Sequence, residues 1–88
     1  MKDIEALGKD FSETLHRTIG RNVKSIRESK NVSQLKLSHA MGYNSVSTVS
    51  CAEIYHNKIH FNVEHLVKIA YILDVNVCEF FKDIQPPK

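Results

Sequence analysis

Apolar residues recur along this chain at helical spacing. From Phe11, Leu15, Ile19, Val23 and Ile26 follow at intervals of 4, 4, 4 and 3, which is one face of a helix. Ser12 suits its N-cap, and Asn31 suits the left-handed position after its end near Lys30. Ile4 and Leu7 extend the same stripe but Gly8 interrupts it, so residues 1–11 read as an N-terminal extension with helical potential. Ser33 then caps a helix of about two turns bearing Leu35, Leu37, Ala40 and Met41, and Gly42 stops it. After the turn Gly42-Tyr43-Asn44-Ser45, Val46 to Ile54 reads as another short helix, with Val46, Val49 and either Ala52 or Glu53 on one face.

Residues 55–61 read as a loop, with His60 and Phe61 anchoring it near the next cap. Asn62 caps a helix from Val63 to Leu73 whose buried stripe is Leu66, Ile69, Ala70 and Leu73, and Phe61 and Leu66 occupy the two staple positions around that cap. Asp74-Val75-Asn76 forms a turn, and Asn76 caps a short helix from Val77 to Lys82. Phe80 and Phe81 are adjacent, so one ring is expected to close the core and the other to face out. Residues 84–88 end in Gln85-Pro86-Pro87-Lys88 and read as a flexible tail. Val46 to Ser50 alternates β-branched residues but has no partner strand. The expectation is an all-α compact bundle of about five helices, with residues 12–83 as its one domain.

With 88 residues there is room for one small domain, and 42% apolar with 25% charged residues is ordinary for a soluble globule. No apolar run approaches the ~20 residues of a membrane helix. The first residues mix acids with apolar side chains, unlike a secretory signal. Cys51 and Cys78 are too few for a disulfide scaffold and are expected as reduced thiols in a cytoplasmic protein.

The net charge of +2 conceals an uneven distribution. Residues 14–60 set Arg17, Arg21, Lys24, Arg27, Lys30, Lys36 and Lys58 against Glu28 and Glu53, a balance of +5, whereas residues 1–13 carry −2 and residues 61–88 carry −1. That asymmetry points to a polyanionic partner. Catalysis finds no support: no nucleophile–base–orienter set, paired carboxylates or phosphate-cradling glycine loop is present, and Gly8, Gly20 and Gly42 each stand alone. His56, His60 and His65, with Cys51 nearby, have zinc-binding chemistry but no ligand spacing. No catalytic residue, metal, cofactor or small-molecule ligand is therefore expected. A redox role for Cys51 would need a depressed thiol pKa.

Gln34–Met41 and Val46–Ile54, joined by a glycine turn, make a helix-turn-helix unit over residues 34–54. Ser33-Gln34, Leu37, Gly42, Ser47-Thr48-Val49-Ser50, Glu53, Leu66-Val67-Lys68-Ile69-Ala70 and Leu73-Asp74-Val75 fall in order. On these residues the run Ile19 to Phe81 resembles the Cro and phage-repressor (XRE-type) helix-turn-helix DNA-binding domain family. The chain departs from it in a longer inter-helix turn, a longer loop after Glu53 that lacks Gly and Pro, and Cys51 where Arg, Lys or Gln is usual. The resemblance implies a lambda-repressor-like fold. It also implies a bacterial or phage transcriptional regulator that binds duplex DNA as a repressor-like homodimer on palindromic sites, with half-sites ~34 Å apart.

In such a unit the second helix enters the major groove, which makes Asn44, Val46, Ser47, Ser50 and Cys51 the base-facing candidates. None of these can make a bidentate Arg–guanine or Gln–adenine contact, so specificity is expected to rest on dimer spacing, DNA shape and water. Gln34, at a helix N-terminus, is a candidate phosphate contact, and the resemblance implies the same. It also places Asn57 and Lys58 beside the DNA backbone. At 100° per residue Arg27 falls on the flank of the apolar stripe, whereas Arg17, Arg21 and Lys24 lie opposite it as a solvated face. The resemblance pairs Arg27 with Glu53 and brings Arg27 near a phosphate. Val75, Val77, Phe80, Phe81 and Ile84 are the candidate dimer surface, with Ile4 and Leu7 as a second. The competing expectation is the same fold used as a protein-interaction module with weak or no DNA binding.

Overall fold

A computed structural model describes residues 1–85. Among the described residues there are four α-helices, α1 (Phe11–Ser29), α2 (Gln34–Ala40), α3 (Ser47–Ile54) and α4 (Val63–Leu73). Three 3-10 turns accompany them, at Ile4–Leu7, His56–Lys58 and Val77–Phe81, and no strand occurs among the described residues. None of these helices is long and apolar enough to cross a membrane.

The caps follow the local chemistry read from the sequence. Ser33 accepts the Lys36 N–H at the start of α2, and Asn76 accepts the Cys78 N–H at the start of the last turn. Asn62 accepts the His65 N–H at 2.7 Å, and the His65 ring returns the favour by accepting the Asn62 N–H on Nδ1 at 3.1 Å. That is a capping box with histidine in the usual Glu position. Asn31 takes the left-handed conformation after α1 (φ 58°), and Gly42 does so after α2 (φ 92°).

Four expectations need correction. Ser12 does not cap α1: the helix starts at Phe11, with Asp10 in the cap position and no side-chain cap bond. The stripe does not run back through Ile4 and Leu7, because Gly8 (φ 85°) closes their 3-10 turn as a separate piece. The fifth helix is a five-residue 3-10 turn. The C-terminal apolar set is mostly not surface: Phe80 is fully buried, and Val75, Val77 and Ile84 pack against the core, leaving Phe81 exposed. This last point also removes Ile84 from the flexible tail, while residues 86–88 of that tail lie outside the described residues.

One core joins all the helices. Ile19 and Val23 of α1, Leu37 of α2, Val49 and Ala52 of α3, Phe61, the α4 stripe Leu66, Ile69, Ala70 and Leu73, and Phe80 are buried together. Both staple residues thus enter the same core. The C-terminal turn is tied to α1 by the Asn22 side-chain amide, which donates to the carbonyls of Phe80 and Lys82 at 3.0 and 2.8 Å.

Gly20 determines how closely α1 approaches α3. A Cβ there would lie 2.6 Å from the carbonyl oxygens of both Ala52 and Glu53. These are backbone atoms of a packed helix and cannot swing away. Gly→Ala inside a helix ordinarily gains up to about 1 kcal/mol, but here overpacking reverses the sign. Gly20→Ala is expected to lower stability by about 1–3 kcal/mol in urea unfolding, and an unchanged or raised midpoint would contradict this packing.

Candidate nucleic-acid interface

The turn between α2 and α3 is closed by backbone bonds, Gly42 N–H to the His39 carbonyl and Tyr43 N–H to the Ser38 carbonyl at 2.9 Å. The Tyr43 hydroxyl then meets Nε2 of His65 at 3.0 Å, fastening the turn to α4. Because Nδ1 of that ring accepts the Asn62 N–H, neutral His65 carries its proton on Nε2 and donates it to Tyr43.

Helix α3 begins one residue later than its apolar pattern suggests, at Ser47, with Val46 in the cap position and no side-chain bond from it. Ser45 does the capping work: its hydroxyl accepts the Ser47 N–H at 3.0 Å and meets the Ser47 hydroxyl at 2.6 Å. Asn44, Ser45 and Ser47 are exposed at this end of α3, and Val46, Ser50 and Cys51 are half-buried. The Ser50 hydroxyl is turned back to the Ser47 carbonyl at 3.3 Å. Asn44 and Ser47 are thus the most accessible of the five base-facing candidates.

A buried polar cluster lies on the inner side of α3, at its last turn. Glu53, on the inner face of α3, receives Nε of Arg27 at 2.8 Å and Nη2 at 3.2 Å. It also receives the side-chain amide of Gln34 at 2.8 Å. Nη1 of Arg27 donates to the Val32 carbonyl at 2.8 Å. The side chains of Arg27 and Glu53 are 7% and 0% exposed. The expected ion pair is therefore present, with Gln34 as an unforeseen third member. Arg27 as a phosphate contact is corrected: every guanidinium nitrogen is engaged inside the protein and the residue is buried. Gln34 is half-buried and spends one amide proton on Glu53, so its side chain first positions α3.

The far end of α3 is held from α1. Nη1 of Arg17 donates to the Ile54 carbonyl at 3.0 Å, while Nε binds Glu13. Its guanidinium also sits 5.6 Å from the centre of the Tyr55 ring. A cation on the last carbonyls of a helix is favourable in the dipole field. Arg17 is thus more than a solvated cation, whereas Arg21 and Lys24 stay exposed and line a cleft with Arg17, Glu53 and Ile54.

The following loop has no glycine, yet Tyr55, Asn57 and Lys58 all adopt positive φ (58°, 51° and 63°). Such conformations persist only when surrounding contacts impose them. Here His16 of α1 stacks on His60 with centroids 3.8 Å apart and on Tyr55 at 5.7 Å. His60 therefore anchors the loop to α1, and not to the cap of α4 as its neighbour Phe61 suggested. Asn57 and Lys58 are left exposed between these anchors.

With the Arg27–Glu53 pair buried, the exposed charges of residues 14–60 are six cations (Arg17, Arg21, Lys24, Lys30, Lys36, Lys58) and one acid, Glu28. The exposed residues Asn44, Ser45 and Ser47 and the exposed pair Asn57 and Lys58 sit at opposite ends of α3, an eight-residue helix roughly 12 Å long. Cys51 is a free, half-buried thiol. Among the described residues no three His, Cys, Asp or Glu side chains converge as a metal site. Tertiary packing created the roles of Gln34, Arg17, His16 and Tyr55, and no motif marked them. Comparisons with protein-family models, curated proteins and solved structures give no match.

Two predictions follow from these contacts. Glu53→Ala leaves Arg27 buried and unpaired, and is expected to lower unfolding free energy by about 3–5 kcal/mol; an unchanged denaturation midpoint would remove the pair from any structural role. The second concerns acid. Burial lowers the His16 pKa, and the nearby His60 lowers it further. Nδ1 of His16 is buried without a hydrogen-bond partner, so a proton there would go unpaired. Burial also lowers His65, with Lys68 and His60 adding to the effect and Glu64 opposing it. As pH falls below about 6.5 the unfolded chain takes up these protons before the folded one. Stability is therefore full above that pH and declines through the depressed folded values. His16→Phe keeps a stacking ring and removes one titrating group, so its stability should fall less steeply between neutral and mildly acidic pH; a slope equal to wild type would contradict this.

Proposed function

We propose that this chain is a sequence-specific DNA-binding transcriptional regulator of the Cro and phage-repressor type, with a lambda-repressor-like fold. It acts in the cytoplasm as a repressor-like homodimer on palindromic sites and needs no cofactor. The observation that carries the reading is a helix-turn-helix whose second helix exposes an acid-free N-terminal end, Asn44, Ser45 and Ser47. It lies in a segment whose exposed charges are six cations and one acid. Helix N-termini favour phosphate, so the first turn of α2 and the exposed Asn57 and Lys58 are the proposed backbone contacts. Short hydroxyls and one amide leave sequence discrimination to DNA shape and bridging water.

One observation favours a second reading. The exposed side chains of α3 include no Arg, Lys or Gln, as expected if the fold serves as a protein-interaction module. Titrating salt against binding to random duplex DNA separates the two. The DNA reading predicts that the logarithm of the binding constant falls linearly with log salt, and Lys58→Ala should make that slope shallower by about 0.9. Absence of binding at low salt would contradict it in favour of the interaction module.

A further inference from the structure

Helix α4 leaves one face uncovered. Val63, Val67 and Tyr71 follow at intervals of four and are 76%, 54% and 87% exposed, while Leu66, Ile69, Ala70 and Leu73 of the same helix are in the core. Side chains four apart on a helix lie one above another, so these three form a line roughly 12 Å long. Tyr71 and Val67 also border a shallow groove completed by Ala40, Met41, Lys68 and Ile72. Single exposed apolar residues are ordinary, but an aligned set beside an apolar groove marks an interaction surface.

The charges on this face narrow the occupant. Glu64 and Lys68 form an exposed pair at 3.2 Å beside the line, so the face is neutral and offers a polyanion or an anionic membrane no cationic patch. Its pattern is also its own complement in one orientation. In an antiparallel pair with its axis at Val67, Val63 meets the partner's Tyr71, and Glu64 lies about 3 Å along the axis from the partner's Lys68. In a parallel pair in register the two-fold axis runs along the helices and puts the two Glu64–Lys68 flanks on opposite sides of the seam, so neither charge meets its opposite on the partner.

We propose that α4 is a self-association surface, on which a second copy of this chain docks its own α4 antiparallel through Val63, Val67 and Tyr71. This replaces the C-terminal apolar set, which the core absorbs. It stands independently of DNA binding. Three side chains and a groove rim cover less than the ~800 Å² per partner of a standard interface. The dimer is therefore weak, with a Kd on the order of tens to hundreds of micromolar.

Sedimentation equilibrium from about 10 μM to about 1 mM tests this, with far-UV circular dichroism confirming that each variant is folded. Wild type is expected to show a monomer–dimer equilibrium. Tyr71→Glu and Val67→Lys, both at exposed positions, should each weaken it at least about tenfold. Glu64→Lys alone should also weaken it, and adding Lys68→Glu to that variant should restore it. A wild-type monomer across the range overturns the proposal and leaves a different protein's helix as the occupant. A dimer unaffected by Tyr71→Glu and Val67→Lys, or a double charge exchange no tighter than the single one, overturns it as well.

Discussion

The buried carboxylate of Glu53 is the constraint on which the arrangement of α1, α2 and α3 depends. A charge taken out of water must be fully satisfied. Here that requires Arg27 from α1 and Gln34 from α2 to reach one point on α3. An eight-residue helix has little stability of its own, so α3 keeps its place through what it contacts. Val49 and Ala52 bury its apolar side, the Gly20 backbone lets α1 approach closely, and Arg17 holds its last carbonyl. Each of these contacts lies on the inner or C-terminal side, which leaves the N-terminal end exposed and free of acids.

The same division of labour explains where the positive charge acts. Arg27 is spent on Glu53 and Arg17 on Ile54, Tyr55 and Glu13, so two of the seven basic residues between 14 and 60 are structural. Lys58 sits on a strained loop that His16 and His60 hold against α1. Its position therefore depends on a stack of two imidazoles that acid would disturb. The presentation of a surface lysine is in this way coupled to a buried nitrogen elsewhere.

What could be read from the sequence was local. Ser33, Gly42, Asn62, Asn31 and Asn76 announce helix ends through the chemistry of their own side chains and neighbouring backbone, and each takes its expected role. The α4 stripe is legible for the same reason. The Arg27–Glu53 pair could be anticipated from the position of Arg27 beside the apolar stripe together with the family resemblance. Roles created by packing between distant elements left no local signature. Gln34 looked like a phosphate contact because its amide reaches Glu53 only once α2 and α3 cross. Gly20 is silent until the carbonyls of α3 come within reach. The apolar C-terminal residues suggested a surface because periodicity cannot tell a core-closing 3-10 turn from an exposed amphipathic helix.

If α3 is the DNA-reading helix and its C-terminal loop grips the backbone, contact with duplex DNA must be felt at particular amides. Chemical-shift mapping at low salt, with duplex added to isotope-labelled protein, follows them all at once. The account predicts that the largest changes fall at Gln34–Lys36, Asn44–Cys51 and Asn57–Lys58. Changes confined to α4, or none on adding excess duplex, would contradict it.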